Sequence, residues 1–222
     1  MIGGVVFDMD GVLIDSMGVW EHLGENYLKD FGIEPEAGLN MTLCTMSMEQ
    51  GASYLKEHYN LPLSEKEIRE GIIGKIRRQY EENIPAKKGA HSFLEQLKIK
   101  RIPIALATSN SRGLAEMVLK RLDLYEFFDC IVTCDDCGAS KQDPAIYFKA
   151  SEKMNAHTGN IWVFEDALHG IITAKNAGFC TVGIHDATNE PVWKKIQQEA
   201  TLCLESLTDF NQFFTFVMQE TV

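Results

Sequence analysis

A doubly wound α/β sheet of parallel strands, interrupted after its first strand by an all-helical insertion, is the architecture the sequence predicts. Three patterns predict it. Five short, near-continuously apolar runs recur along the chain, as strands do when helices cover both faces of a parallel sheet. Helical periodicity fills the intervals between the later runs, giving the β-α-β-α order of crossover units. Residues 16–85, between the first run and the second, carry helix signals and no strand.

The first run is Gly4–Asp8. In the insertion, Trp20, Leu23, Tyr27 and Phe31 share the spacing of one helical face. Ser64 and Glu67 have capping-box spacing, and Ile68, Ile72, Ile76 and Tyr80 then recur every fourth residue. A block this long exceeds what a βαβ crossover needs, so 16–85 is read as a separate helical domain. The α/β core is therefore discontinuous, 1–15 plus 86–222. The second run, Ile102–Thr108, precedes a helix carrying Leu114, Val118, Leu119 and Leu122. The third, Asp129–Thr133, leads to a helix opening at Asp143 and Pro144, an aspartate cap with proline at the first helical position. After the fourth run, Asn160–Glu165, a helix over 167–177 ends before Gly178, a C′ glycine. The fifth run is Cys180–Ile184. Phe210, Phe213, Phe214 and Phe216 predict a last helix packed on the core.

Composition narrows the function. The 222 residues are 45% hydrophobic and 24% charged, enough to bury a core without metals or disulfides. A net charge of −11 argues against coating nucleic acid or anionic membrane, which requires clustered positive charge. No run approaches the ~18 apolar residues of a membrane span. The N-terminus has no basic start or long apolar stretch, so no signal peptide is expected. Six cysteines spread over a mid-sized chain, Cys130 and Cys180 among them in strand-like runs, predict reduced thiols and a cytoplasmic protein. Cys134 and Cys137 have CxxC spacing, but zinc needs two more ligands and none lie near. A redox pair should open a helix, whereas this one follows a strand and precedes a Gly-containing loop.

In an open α/β sheet, ligands sit beyond the carboxyl ends of the strands. The first run ends in Asp8, Met9, Asp10 and Gly11, and the second in Thr108, Ser109 and Asn110. The loop after the third leads to Lys141, and the fourth ends in Glu165 and Asp166. Acid, hydroxyl, cation and acid thus converge on one crevice, a set that suits phosphoryl transfer. Like carboxylates 4 Å apart repel by ~4 kcal/mol at an effective dielectric of 20, and a phosphate would add to the repulsion. A divalent cation removes that conflict. Mg²⁺, with its all-oxygen shell, needs few protein ligands because it keeps waters and phosphate oxygens.

VVFDMDGVLIDS (residues 5–16) resembles the first motif of the haloacid dehalogenase-like hydrolases. LATSNS (106–111) resembles the second, Lys141 the third and VFEDALHG (163–170) the fourth. The resemblance spans nearly the whole chain and implies a Rossmann-like core with a small helical cap, as in β-phosphoglucomutase and phosphoglycolate-type phosphatases. It implies that Asp8 is the nucleophile and also meets Mg²⁺. Asp10 would be the general acid/base, with its main-chain carbonyl on the metal. Thr108 and Ser109 would hold the transferring phosphoryl oxygens, with Asn110 and Gly11 beside them, and Lys141 would neutralise charge. Asp166 would ligate the metal, with Glu165 acting directly or through water. The third motif departs from the family's common Lys-Pro-x-Pro-Asp, reading Lys141, Gln142, Asp143, Pro144, Ala145.

The expected function is a Mg²⁺-dependent phosphatase, monomeric, acting on a small phosphorylated metabolite such as a sugar phosphate. A mutase of the β-phosphoglucomutase type is the alternative. The resemblance implies that such an enzyme carries a cap histidine and a cap arginine, where this chain has Trp20 and the region of Ser47 and Met48. His22 is a poor substitute for that histidine, two residues being ~200° of helical rotation. A non-enzymatic binding protein is the third reading. Lys75, Arg77 and Arg78 form the insertion's basic cluster, with Arg77–Glu81 pairing as the simplest explanation. Met46, Ser47 and Met48 are expected to form an apolar wall facing the site. Closure of the cap is expected, with hinges near Asp15–Ser16 and Pro85–Ala86.

Overall fold

Val5, Val6 and Phe7 have no exposed surface, and with Gly4 they form β1 (Gly4–Phe7) in the middle of a six-stranded parallel sheet. In the computed structural model, which describes residues 2–43, 46 and 48–220, the other strands are β2 (Ile104–Thr108), β3 (Cys130–Thr133), β4 (Ile161–Glu165), β5 (Cys180–Ile184) and β6 (Leu202–Leu204). Their order is β3-β2-β1-β4-β5-β6. The direction of winding reverses between β1 and β4, where open α/β sheets leave a crevice at the strands' carboxyl ends. Phe7 stands in register with Leu106 on one side and Phe164 on the other, so β1, β2 and β4 all end at that crevice.

Both faces of the sheet are covered, which explains why the strands read as unbroken apolar runs. Successive side chains point to opposite faces. Val6 packs with Ala105, Val132, Ile146 and Val163 in one layer. Phe7 turns the other way, its ring 4.6 Å from Phe164, and Phe93 and Phe213 complete that layer. Burying each such ring contributes roughly 1.5–3 kcal/mol. The helix Phe210–Glu220 therefore docks by Phe213 and Phe210, as its spacing predicts. The sixth strand was not expected. It is a three-residue edge strand paired only to β5, too short to leave a period in the sequence.

The chain divides into two compact units, residues 1–15 with 85–222 and residues 16–84. The return falls one residue before the expected position 86. In the α/β unit the two connections run side by side: Ile14 bridges Ala86, and the Asp15 N–H donates to Pro85 O at 3.0 Å. Among the described residues, no helix is long and apolar enough to cross a membrane.

The unit 16–84 has helices Met17–Glu21, Leu23–Lys29, Leu39–Leu43, Met48–His58 and Glu65–Glu82. Ser64 caps the last of these. Its Oγ accepts the Glu67 N–H at 3.2 Å, and the Glu67 carboxylate accepts the Ser64 N–H at 2.8 Å. Ile68, Ile72, Ile76 and Tyr80 form the buried stripe below it. Trp20, Leu23, Tyr27 and Phe31 do not share one helical face. The helix breaks at His22, between Gly18 and Gly24, which weaken helix propensity. Tyr27 is buried, whereas Trp20 and Phe31 are 37% and 43% exposed. The rotation argument for His22 fails for the same reason, because it lies at a helix junction.

Within this unit an apolar cavity of about 500 Å³ is lined by Met17, Trp20, Leu23, Met46, Met48 and Leu55, among others. Met46 and Met48 thus wall a space inside the helical unit. Ser47 and Cys44 lie outside the described residues. Lys75 pairs with Asp30 at 2.5 Å and Arg77 with Glu81 at 3.1 Å, so these two cations of the basic cluster are accounted for within the unit.

Candidate active site

Asp8 follows β1 directly, and its N–H continues the sheet ladder to Phe164 O at 2.9 Å. The chain then turns back on itself: the Leu13 and Ile14 N–H groups both donate to Met9 O, and the Gly11 N–H donates to Ile14 O. Gly11 sits at φ 75°, a left-handed conformation that disfavours any side chain. This turn sets Asp8 and Asp10 at the end of the central strand.

Asp8 is 8% exposed, Lys141 5%, Glu165 1% and Asp166 5%. Lys141 Nζ donates to Asp8 Oδ1 and, at 2.6 Å, to Glu165 Oε1. The ligand atoms of Asp8, Glu165 and Asp166 lie within 4.8 Å of one another. With all three acids ionised, one ammonium would leave two uncompensated negative charges in a buried space. Burial, first of all, pushes Asp8 well above the usual carboxylate range; Lys141 opposes this, while Glu165, Asp166 and Asp10 add to it. Burial and then Glu165 raise Asp166 to about 7. Burial works against the charge on Lys141, but Asp8 and Glu165 outweigh it and hold its pKa above the ordinary lysine value.

These residues fit a divalent cation. Glu165 Oε2 is buried with no hydrogen-bond partner, which is costly for a carboxylate oxygen unless something of opposite charge meets it. The donors are all carboxylate oxygens, the hard set that suits such ions rather than thiolate-bound zinc. Among the described residues this is the one cluster of three or more potential ligands, so Cys134 and Cys137 have no partners for a metal. Those cysteines begin and end a one-turn helix, Cys134–Cys137, where the pair was not expected to open one. Thr133 and Asp136 cap it reciprocally.

The other expected residues are placed as follows. Asp10 stands outside the acid cluster, and its Oδ2 accepts from Asn110 Nδ2 at 2.6 Å. Asn110 therefore meets the second aspartate. Thr108 ends β2 fully buried, its Oγ1 accepting the Asn110 N–H at 3.1 Å. Ser109 is exposed, its Oγ 3.6 Å from Cys134 Sγ. The helix that follows, Arg112–Arg121, begins after Ser111, beyond these residues. The helix Ala145–Lys153 starts one residue later than expected, with Pro144 rather than Asp143 at its N-cap; Asp143 accepts the Ala145 N–H at 2.8 Å from the turn before it. His169 is on the surface.

Three supporting residues escape sequence reasoning. The Tyr147 hydroxyl donates to Glu165 Oε1 at 2.9 Å. Gly170 leaves room for the same carboxylate, since a Cβ there would lie 2.6 Å from Glu165 Cδ. Asn189 Nδ2 donates to Asp166 O and Ile184 O, each at 2.9 Å, fixing the main chain behind the acid cluster. Asn189 is itself held by Asp186, a buried acid paired with Lys87. Only the glycine in VFEDALHG carried a signal, standing inside a helix with no turn to require it.

The haloacid dehalogenase-like hydrolase family model matches residues 5–184. The phosphorylated carbohydrates phosphatase of Thermotoga maritima is 32% identical over 174 residues, 78% of this chain and 81% of that protein. Hexitol phosphatase B of Escherichia coli is 26% identical over 191 residues, covering 84% of this chain and 86% of its own length. A Thermotoga maritima crystal structure described as a candidate β-phosphoglucomutase superposes with a TM-score of 0.85 at 28% identity, covering 99% of each chain.

Proposed function

The chain belongs to the haloacid dehalogenase-like hydrolase family, and from that premise we propose that it is a Mg²⁺-dependent phosphatase of small phosphorylated metabolites, sugar phosphates first among them. One observation carries the reading. Lys141 ties Asp8 to Glu165 beside Asp166, so that side chains from three separate regions form a single charged cluster.

In this reading an oxygen of Asp8 attacks phosphorus and the bond to the leaving alcohol breaks, giving an aspartyl-phosphate. Asp10, steadied by Asn110, gives its proton to the departing oxygen. It then takes a proton from the water that attacks the phosphoryl group, which frees phosphate and restores Asp8. Lys141 offsets charge on Asp8 and the transferring group. Thr108 and the Ser109 N–H receive the phosphoryl oxygens, with Gly11 and Asn110 beside them. Asp8, Asp166, Glu165 and the Asp10 carbonyl would hold Mg²⁺, which supplies charge neutralisation and polarises the phosphoryl oxygens. The helical unit selects the substrate. Six cysteines spread over a mid-sized chain are read as reduced thiols in a cytoplasmic setting.

A β-phosphoglucomutase-type transfer is the second reading, favoured by the end-to-end structural likeness. Against it stands Trp20, whose Nε1 donates to the Tyr80 hydroxyl at 3.1 Å and which has no acid/base chemistry.

Phosphate release from a metabolite panel, with Mg²⁺ and with EDTA, tests the proposal. The panel includes β-glucose 1-phosphate coupled to detection of glucose 6-phosphate. The expected result is Mg²⁺-dependent release that is absent in Asp8→Asn. Isomerised sugar phosphate with little free phosphate selects the mutase, and no turnover of any substrate selects a binding protein.

A further inference from the structure

Tyr147 is fully buried on the helix Ala145–Lys153, within the layer that contains Val6, Ala105 and Val163. A phenylalanine would fill that space as well. A hydroxyl there must find a partner, because an unpaired polar group in an apolar layer is costly. Its partner is Glu165 Oε1, at 2.9 Å, the same oxygen that Lys141 Nζ reaches at 2.6 Å. Glu165 Oε2 has no partner.

A carboxylate held by one donor can swing about its last bond and exchange its two oxygens. Two donors arriving from different elements on one oxygen remove that freedom. Gly170 leaves the space this placement needs, since a Cβ there would come within 2.6 Å of the carboxylate carbon. We propose that Tyr147 is a positioning residue for the divalent cation: its hydroxyl, with Lys141, holds Glu165 Oε1 so that Oε2 is the oxygen presented to the metal. The inference rests on the cation reading above and adds to it a residue that touches neither metal nor substrate. Partners that orient metal-binding side chains typically change affinity or activity by 10–100-fold when removed.

The test is calorimetric titration of Mg²⁺ into the metal-free full-length protein, its Tyr147→Phe variant and a Phe179→Leu control. Phe179 packs on the Tyr147 ring at 6.0 Å, so its substitution loosens the same layer while leaving the hydroxyl in place. Removing the hydroxyl is expected to raise the Mg²⁺ dissociation constant about tenfold or more. Phe179→Leu is expected to lower the melting temperature with the dissociation constant unchanged. Turnover by Tyr147→Phe should recover most of its loss at saturating Mg²⁺. Equal Mg²⁺ affinity in wild type and Tyr147→Phe overturns the inference, as does an equal weakening by Phe179→Leu. No Mg²⁺ binding by the wild type overturns the cation reading itself, and that result is seen before any variant is made.

Discussion

One group of charged side chains in the α/β unit is buried against itself, whereas the ion pairs of the helical unit lie at its surface. Asp8, Lys141, Glu165 and Asp166 share one enclosed space, and a missing partner there would strand a charge. Arg77–Glu81 and Lys66–Glu70 are exposed i,i+4 pairs that water can replace. The interior of the helical unit is apolar, around a cavity walled largely by methionine and leucine. The buried charge cluster thus lies in one unit and an apolar cavity in the other. Equivalent substitutions should therefore have different consequences in the two.

The largest effect is expected at Asp8. Asp8→Asn should reduce turnover by on the order of 10⁴-fold or more, read as initial phosphate release, with folding retained. Wild-type turnover would break the comparison at its root. Lys141→Met comes next, because it leaves Asp8 and Glu165 buried without their cation. Losing one member of such a pair costs about 3–5 kcal/mol, measurable by urea unfolding of the metal-free protein.

The metal-free site should also make stability depend on pH. Asp166 is raised from its ordinary 3.8 to about 7, by burial first and Glu165 second. The folded protein then binds that proton more tightly than the unfolded chain does. Its contribution is full below pH 3.8 and is lost as pH rises through about 7. Melting temperature in EDTA should fall across that window, and Mg²⁺ should restore more at pH 7 than at pH 5. A flat profile in EDTA would mean that the acids are not in conflict.

One substitution made in both units separates them by sign. Gly170→Ala improves helix propensity by about 1 kcal/mol but puts Cβ 2.6 Å from the buried Glu165 carboxylate, and overpacking costs typically 1–3 kcal/mol. It should destabilise and lower turnover. Gly74→Ala, on the helix Glu65–Glu82, meets nothing within 4 Å and should stabilise by up to about 1 kcal/mol without touching kcat. The smallest effect is expected for Arg77→Ala, within about 0.5 kcal/mol by thermal or urea unfolding, because its ion pair is exposed.

How far the sequence could be read follows from range. The five longer strands were legible because burial on both faces makes each an apolar run, and the Ser64 cap because its pattern spans four residues. Asp8, Lys141, Glu165 and Asp166 were legible as residues at strand ends, and the structure brings them together. What sequence could not supply were pairings set by the fold. Asp10 and Asn110 lie 100 residues apart, and the Tyr147 hydroxyl is indistinguishable in sequence from any core aromatic. The break at His22 was lost because apolar spacing continues through it while the backbone does not.

The paired connections at Ile14–Ala86 and Asp15–Pro85 have a consequence for how such a protein can change. The insertion leaves the α/β unit and returns to it at neighbouring points already tied together by the backbone. Whatever lies between those points places almost no demand on the sheet, and a short turn could span the gap. On that geometry the helical segment is a cassette whose length and sequence could change while Asp8, a few residues upstream, stays anchored to Phe164. A lineage could acquire a new substrate by exchanging that cassette and leave its reaction centre untouched.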